Sequence, residues 1–133
     1  MINELSKKLK METKSENIVM NKSCAFALRI VNLYKYLINE HKEYVLSKQV
    51  LRSGTAIGAL IKEAEHAQSK ADFINKMNVA LKEANETDYW LNLIKDSEYI
   101  DESSFRSIDD ACLELVRLLS SIVKTSKTNH LSK

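Results

Sequence analysis

Phe73-Ile74-Asn75-Lys76-Met77-Asn78-Val79-Ala80-Leu81-Lys82-Glu83-Ala84-Asn85-Glu86-Thr87-Asp88-Tyr89-Trp90-Leu91-Asn92-Leu93-Ile94 is the stretch that decides the fold. Phe73, Met77, Ala80, Ala84, Thr87, Leu91 and Ile94 alternate steps of four and three residues. That period lays apolar side chains along one line of a helix packed in a bundle. Ser69 stands where an N-cap belongs, and Ser97 to Asp101 ends the pattern, so the spacing predicts one long helix between them.

Working outward, the same reading gives three more helices. Helix one is expected from about Met20 to His41, with Phe26, Ile30, Val31, Tyr34, Leu37 and Ile38 on one face. A short turn to Val45 leads to helix two, for which Ser47 is the expected cap and Val50, Gly54, Ile57, Ile61 and Ala64 the buried face. Helix four starts at Asp101, Ser103 or Ser104, any of which could cap it, and carries Ile108, Ala111, Cys112, Leu115, Leu118, Leu119, Ile122 and Val123. Short connections favour antiparallel neighbours. The expected architecture is all-α, an antiparallel up-down-up-down four-helix bundle over residues 20–127. A polar arm (residues 1–19, frayed or a short helix) precedes it, and a polar tail (residues 128–133) follows.

Composition agrees. Average usage would place about 6 or 7 prolines and about 9 glycines in a chain this long; here there is no proline, and Gly54 and Gly58 are the two glycines. Turn-rich β folds need those residues and are disfavoured. No apolar run spans a membrane and no apolar stretch follows the N-terminal lysines, so a cytoplasmic protein without a signal peptide is expected. Cys24 and Cys112 are expected to be buried thiols, separated along the bundle by on the order of 10 Å, too far to bridge.

Few chemistries are encoded. There is no glycine-rich phosphate loop and no paired CxxC. His41, His66 and His130 are isolated, and the single E-x-x-H, Glu63 to His66, lacks the second that a bundle di-iron site requires. Glu83, Glu86 and Asp88 are expected to be solvated acids. No catalytic residue, metal or cofactor is expected.

Three features remain. The first is charge: the net is only +2, yet Asp96 to Glu114 holds seven acids against Arg106 alone, and Arg117, Lys124, Lys127 and Lys133 follow with no acid. The topology then predicts an acidic end and a basic end. The basic end gathers Lys22, Lys62, Lys70, Lys76, Lys124 and Lys127 against Glu63, Glu65 and Asp72. The second is Gly54-Thr55-Ala56-Ile57-Gly58-Ala59. Two helical glycines cost about 2 kcal/mol against alanine, so either helix two is interrupted here or, as the favoured expectation, close backbone packing by Gly54, Thr55, Gly58 and Ala59 offsets the cost. The third is surplus apolar surface on helix three. Val79, Trp90 and Leu93 form a second stripe, with Ile74 and Leu81 on the opposite shoulder, more than one buried face needs.

Glu43-Tyr44-Val45-Leu46-Ser47-Lys48-Gln49-Val50-Leu51-Arg52-Ser53-Gly54-Thr55-Ala56-Ile57-Gly58-Ala59, with Glu63-Ala64 beyond it, resembles the helix-two signature of the bacterial four-helix bundle proteins, also called 23S rRNA-intervening-sequence proteins. Ser69 to Leu91 resembles the family's next segment, Phe-x-x-x-Leu-x-Ile-Ala ending in Glu-x-x-x-Trp/Gln-Leu. The likeness runs from about Cys24 to Val123. It departs where relatives carry Phe-Pro before helix two. The resemblance implies antiparallel bundles that assemble as rings, typically homopentamers. Some members are encoded within large-subunit rRNA genes. A related branch serves diversity-generating retroelements and binds nucleic acid and a reverse transcriptase. No catalytic residues follow from the family.

The expectation is therefore a non-enzymatic homo-oligomer, pentameric by resemblance, that binds RNA or DNA. Lys22, Lys62, Lys70, Lys76, Arg117, Lys124 and Lys127 would contact phosphate, and Gly54, Thr55, Gly58, Ala59, Val79, Trp90 and Leu93 would supply close packing or subunit contacts. The alternative is a protein-binding scaffold ring without nucleic-acid contact.

Overall fold

The computed structural model describes the backbone of residues 4–131 and the side chains of residues 14–129. Four helices account for nearly all of it: α1 (Glu4–His41), α2 (Leu46–Glu65), α3 (Lys70–Asp96) and α4 (Glu102–Leu131). Each packs on its neighbours in chain order, and α4 returns to α1, while among the described residues the backbones of the diagonal pairs stay apart. This is the antiparallel bundle, with its core on the common axis.

The α3 seam is as spaced in the sequence. Met77, Ala80, Ala84, Thr87, Leu91 and Ile94 are buried, and Phe73 packs against the core's edge. On α1, Val19, Ser23, Phe26, Ile30 and Leu37 are buried, whereas Val31, Tyr34 and Ile38 are half-buried. Phe105, Ile108, Cys112, Leu115, Leu119 and Val123 complete the core from α4.

The first and last helices run longer than expected. Helix α1 begins at Glu4, not near Met20, because nothing in the polar arm breaks a helix and fully buried Val19 extends the inward stripe. The side chains of Ile2, Leu5 and Leu9 lie outside the described residues. Helix α4 likewise runs on to Leu131 through the expected tail, with Ser126 still buried.

The caps show how local chemistry sets the turns. Ser69 caps α3, accepting from Asp72 N at 3.0 Å. Among the three possible caps of α4 it is Asp101 that accepts, from Ser104 N at 2.7 Å. Those hydrogen bonds from the Ser104 amide and then its hydroxyl hold the Asp101 carboxyl below its ordinary range. Ser47 does not cap α2; its hydroxyl is buried in the first turn without a partner. Glu43 does this work from the preceding turn. Its buried carboxylate accepts from Val45 N and Leu46 N, both at 2.7 Å, and from Ser47 N at 3.1 Å. A negative charge at a helix N-terminus is also favoured by the backbone dipoles.

Helix α2 is uninterrupted through both glycines. A Cβ on Gly54 would stand 2.8 Å from Cγ1 and 2.9 Å from Cγ2 of fully buried Ile30. Gly58 meets Ser23 more loosely, at 3.2 Å from Oγ. The close-packing group therefore divides. Gly54 and Gly58 face α1, Thr55 is half-buried with Oγ1 donating to Leu51 O at 2.7 Å, and Ala59 is exposed.

Candidate nucleic-acid interface

Cross-helix contacts fix the level of each basic residue along the axis. The hydroxyls of Ser53 and Thr87 hydrogen-bond at 2.9 Å, Cys112 Sγ donates to Ala84 O at 3.3 Å, and Lys22 Nζ meets Glu114 at 3.2 Å. Stepping along antiparallel helices from these contacts, Lys62 lies level with Asn78 and Lys76 with Ala64. Lys124 and Lys127 lie level with the start of α3 and the α2–α3 turn, beside Lys70. These five lysines occupy one end third of the bundle, as expected.

Lys22 stands higher, level with Glu114 and about 20 Å up the axis from Lys127, and its charge is engaged by that carboxylate. Arg117, by the same stepping, lies level with Val79, within one residue of the level of Lys62, at the inner edge of the cluster. The sequence alone could not fix the level of Lys22, because it depends on how far α1 overhangs the shorter α2. Lys62, Lys124 and Lys127 are exposed; Lys70 and Lys76 are half-buried, and the Lys70 ammonium lies 5.2 Å from the Phe73 ring centroid. Glu63 and Glu65 are exposed nearby, and Asp72 accepts from Gln68 N at 3.4 Å. The arrangement is a solvated cluster of cations suited to phosphate oxygens rather than a pocket for a small anion.

The opposite end carries an open cleft where Asp96, Glu98, Asp101 and Glu102 surround Lys95, walled by Tyr36, His41 and Tyr99. The rings sit edge to face, 5.2 Å for Tyr36 and His41 and 5.3 Å for His41 and Tyr99. Lys95 contacts Asp96 at 3.6 Å and Glu102 at 3.9 Å.

On α3, the second stripe of Val79, Trp90 and Leu93 is half-buried, and Tyr89 beside it is exposed. Between those apolar positions lie Glu83 and Glu86. They are not freely solvated as expected: Arg52 of α2 bridges both, at 3.2 Å to Glu83 and in direct contact with Glu86, which also accepts from Trp90 Nε1 at 3.2 Å. The signal was available in the sequence, since two acids three residues apart share a helix flank. Asp88, on the other flank, faces Asp109 of α4. Of the two thiols, Cys112 is buried, and its burial, with the Asp109 and Asp88 charges, pushes its pKa up; Cys24 is exposed, contrary to expectation.

Among the described residues, no three His, Cys, Asp or Glu side chains are placed to hold a metal ion. Glu63 and His66 are both exposed. No described helix is long and apolar enough to cross a membrane.

Comparison with known proteins agrees with this architecture. A crystal structure of a protein of unknown function from the S23 ribosomal protein family of Bacteroides thetaiotaomicron is 61% identical and superposes with a TM-score of 0.82, covering 83% of this chain and 98% of that one. No curated protein matches the chain. The model of the 23S rRNA-intervening sequence proteins matches residues 15–121, which takes in most of all four helices, and the chain belongs to that family.

Proposed function

We propose that the protein is a non-enzymatic, self-associating bundle that binds RNA or DNA through its lysine-rich end. The observation that carries this reading is the convergence of Lys62, Lys70, Lys76, Lys124 and Lys127 on one end of the axis. A net charge of +2 per chain is too small for attachment by bulk charge. Assembly answers this by repeating the cluster around an axis, and α3 offers the apolar stripe of Val79, Trp90 and Leu93 for contacts between copies. Five copies would carry about +10 in all, with their lysine clusters gathered on one rim.

The test is fluorescence anisotropy of labelled RNA and labelled duplex DNA across a salt series. Binding is expected to weaken steeply, the logarithmic slope giving about 0.9 per phosphate neutralised on duplex DNA. The double variant Lys124→Glu, Lys127→Glu is expected to abolish it. Absence of binding at low salt overturns the nucleic-acid reading. Sedimentation at micromolar concentration tests assembly, and a strict monomer overturns that part.

The same α3 stripe, with exposed Tyr89 beside it, favours a second reading, a scaffold ring that recruits a protein partner. In that case the Lys124 and Lys127 reversals leave partner binding intact.

A further inference from the structure

The α3–α4 seam holds a buried acid that the proposed function does not use. Asp109 is 8% exposed, and its Oδ1 has no hydrogen-bond partner. Opposite it on α3, in the register that the contact of Cys112 with Ala84 sets one turn on, is Asp88, which acts on Asp109 by hydrogen bonding and by charge. Asp88 itself accepts from Asn92 Nδ2 at 3.1 Å. One turn on, fully buried Cys112 directs its thiol to Ala84 O, so the next group along the seam offers Asp109 no charge.

The surroundings do not neutralise two carboxylates. Lys95 of α3 is the one cation among the groups acting on Asp109, and it is already engaged by Asp96, by Glu102 and by the Phe105 ring at 4.3 Å. Asp110 adds a further like charge from α4. Arg106, a turn earlier, is paired with Glu102 at 2.8 Å, and Arg29 of α1 is held by the Ser107 hydroxyl at 2.7 Å. Two acids set across from each other in such a place cannot both ionise cheaply, and a proton between them turns repulsion into a hydrogen bond.

We propose that Asp88 and Asp109 hold one proton between them, which makes the α3–α4 seam the pH-sensitive joint of the bundle. With the proton in place, one carboxyl donates to the other and the seam closes. When it leaves, two negative charges face each other between packed helices and loosen α4 from α3. Burial first, then Asp88 by hydrogen bonding and by charge, raises Asp109 from 3.8 to about 7. The folded chain therefore keeps this proton through a range in which the unfolded chain has lost it. Alkali, not acid, weakens the joint.

The test follows the aspartate carboxyl carbons by NMR titration of the full chain, alongside thermal unfolding of the wild type, Asp109→Asn and Asp88→Asn from pH 5 to 9. One of the two carboxyls is expected to titrate near neutrality. The wild-type Tm is expected to fall by several degrees between pH 5 and 7.5 and to level off above, and the Asp109→Asn curve to be nearly flat across that range. His41, His66 and His130 remain in the variants, so their titration cannot mimic that loss. Two carboxyls titrating in the ordinary range, or an unchanged pH dependence in both variants, overturns the proposal. If Asp109→Asn does not fold, the wild-type titration decides alone.

Discussion

On its α2 side, helix α3 presents Glu83 and Glu86 to Arg52, with the Trp90 indole hydrogen-bonded to Glu86 and the guanidinium half in water. On its α4 side it presents Asp88 to another acid, Asp109, with water nearly excluded and Lys95 drawn off elsewhere. All three α3 acids lie within six positions of one another. What separates them is the partner each neighbouring helix brings and how much solvent remains. The first flank meets a cation in water and contributes little; the second sets a buried acid against a like charge, and Asp109 makes stability depend on pH.

Removing the second acid gives the largest expected effect. Asp109→Asn takes away the group that resists ionisation and leaves an amide able to donate to Asp88. The native pKa lies above the unfolded value, so wild-type stability falls as pH rises from about 4 to about 7 and then levels off, by about 1.4 kcal/mol per pH unit at most. The variant is expected to gain on the order of 2–4 kcal/mol relative to wild type at pH 8 and little at pH 4, read from urea unfolding. Thr87→Val comes next, at the core position between the two flanks. It removes the hydroxyl that meets Ser53 at 2.9 Å and strands that buried group, at a cost of about 1–2 kcal/mol with no pH dependence. A pH-dependent loss there would mean the flanks are coupled through the core.

The seam of α3 was legible in the sequence because a period of 3.5 survives any error in helix ends. The caps and the charges were not. Glu43 caps α2 from outside the helix, and only the fold of the preceding turn carries its carboxylate to three amides. The level of Lys22 depends on the overhang of α1, which no local pattern encodes. Asp109 did leave a trace, since it stands four residues after Phe105 and three before Cys112, within the buried stripe of α4. The sequence treats the two glycines alike, and only the structure separates them. That difference supplies an uncharged control in the α1–α2 seam. Gly54→Ala is expected to cost about 1 kcal/mol net, overpacking against stiff Ile30 exceeding the gain in helix propensity. Gly58→Ala, with only the Ser23 hydroxyl to displace, is expected to leave stability within about 0.5 kcal/mol of wild type. Neither change should respond to pH or salt.

The smallest expected effect is that of Arg52→Ala. Its side chain is 52% exposed and that of Glu86 39% exposed, so water already screens the pair. In the single chain the loss is expected to be at most about 0.5 kcal/mol and to fade as salt rises. The same residues lie between Val79, Trp90 and Leu93, the stripe offered for contacts between copies. If a second copy covers that stripe, it takes water from the guanidinium and both carboxylates, and removing Arg52 strands two buried anions. Urea unfolding of Arg52→Ala at two protein concentrations and two salt concentrations therefore separates the cases. A small, salt-sensitive loss at both concentrations leaves this flank facing solvent, with the copies meeting elsewhere. A loss that grows severalfold with concentration and ignores salt places the flank inside the assembly.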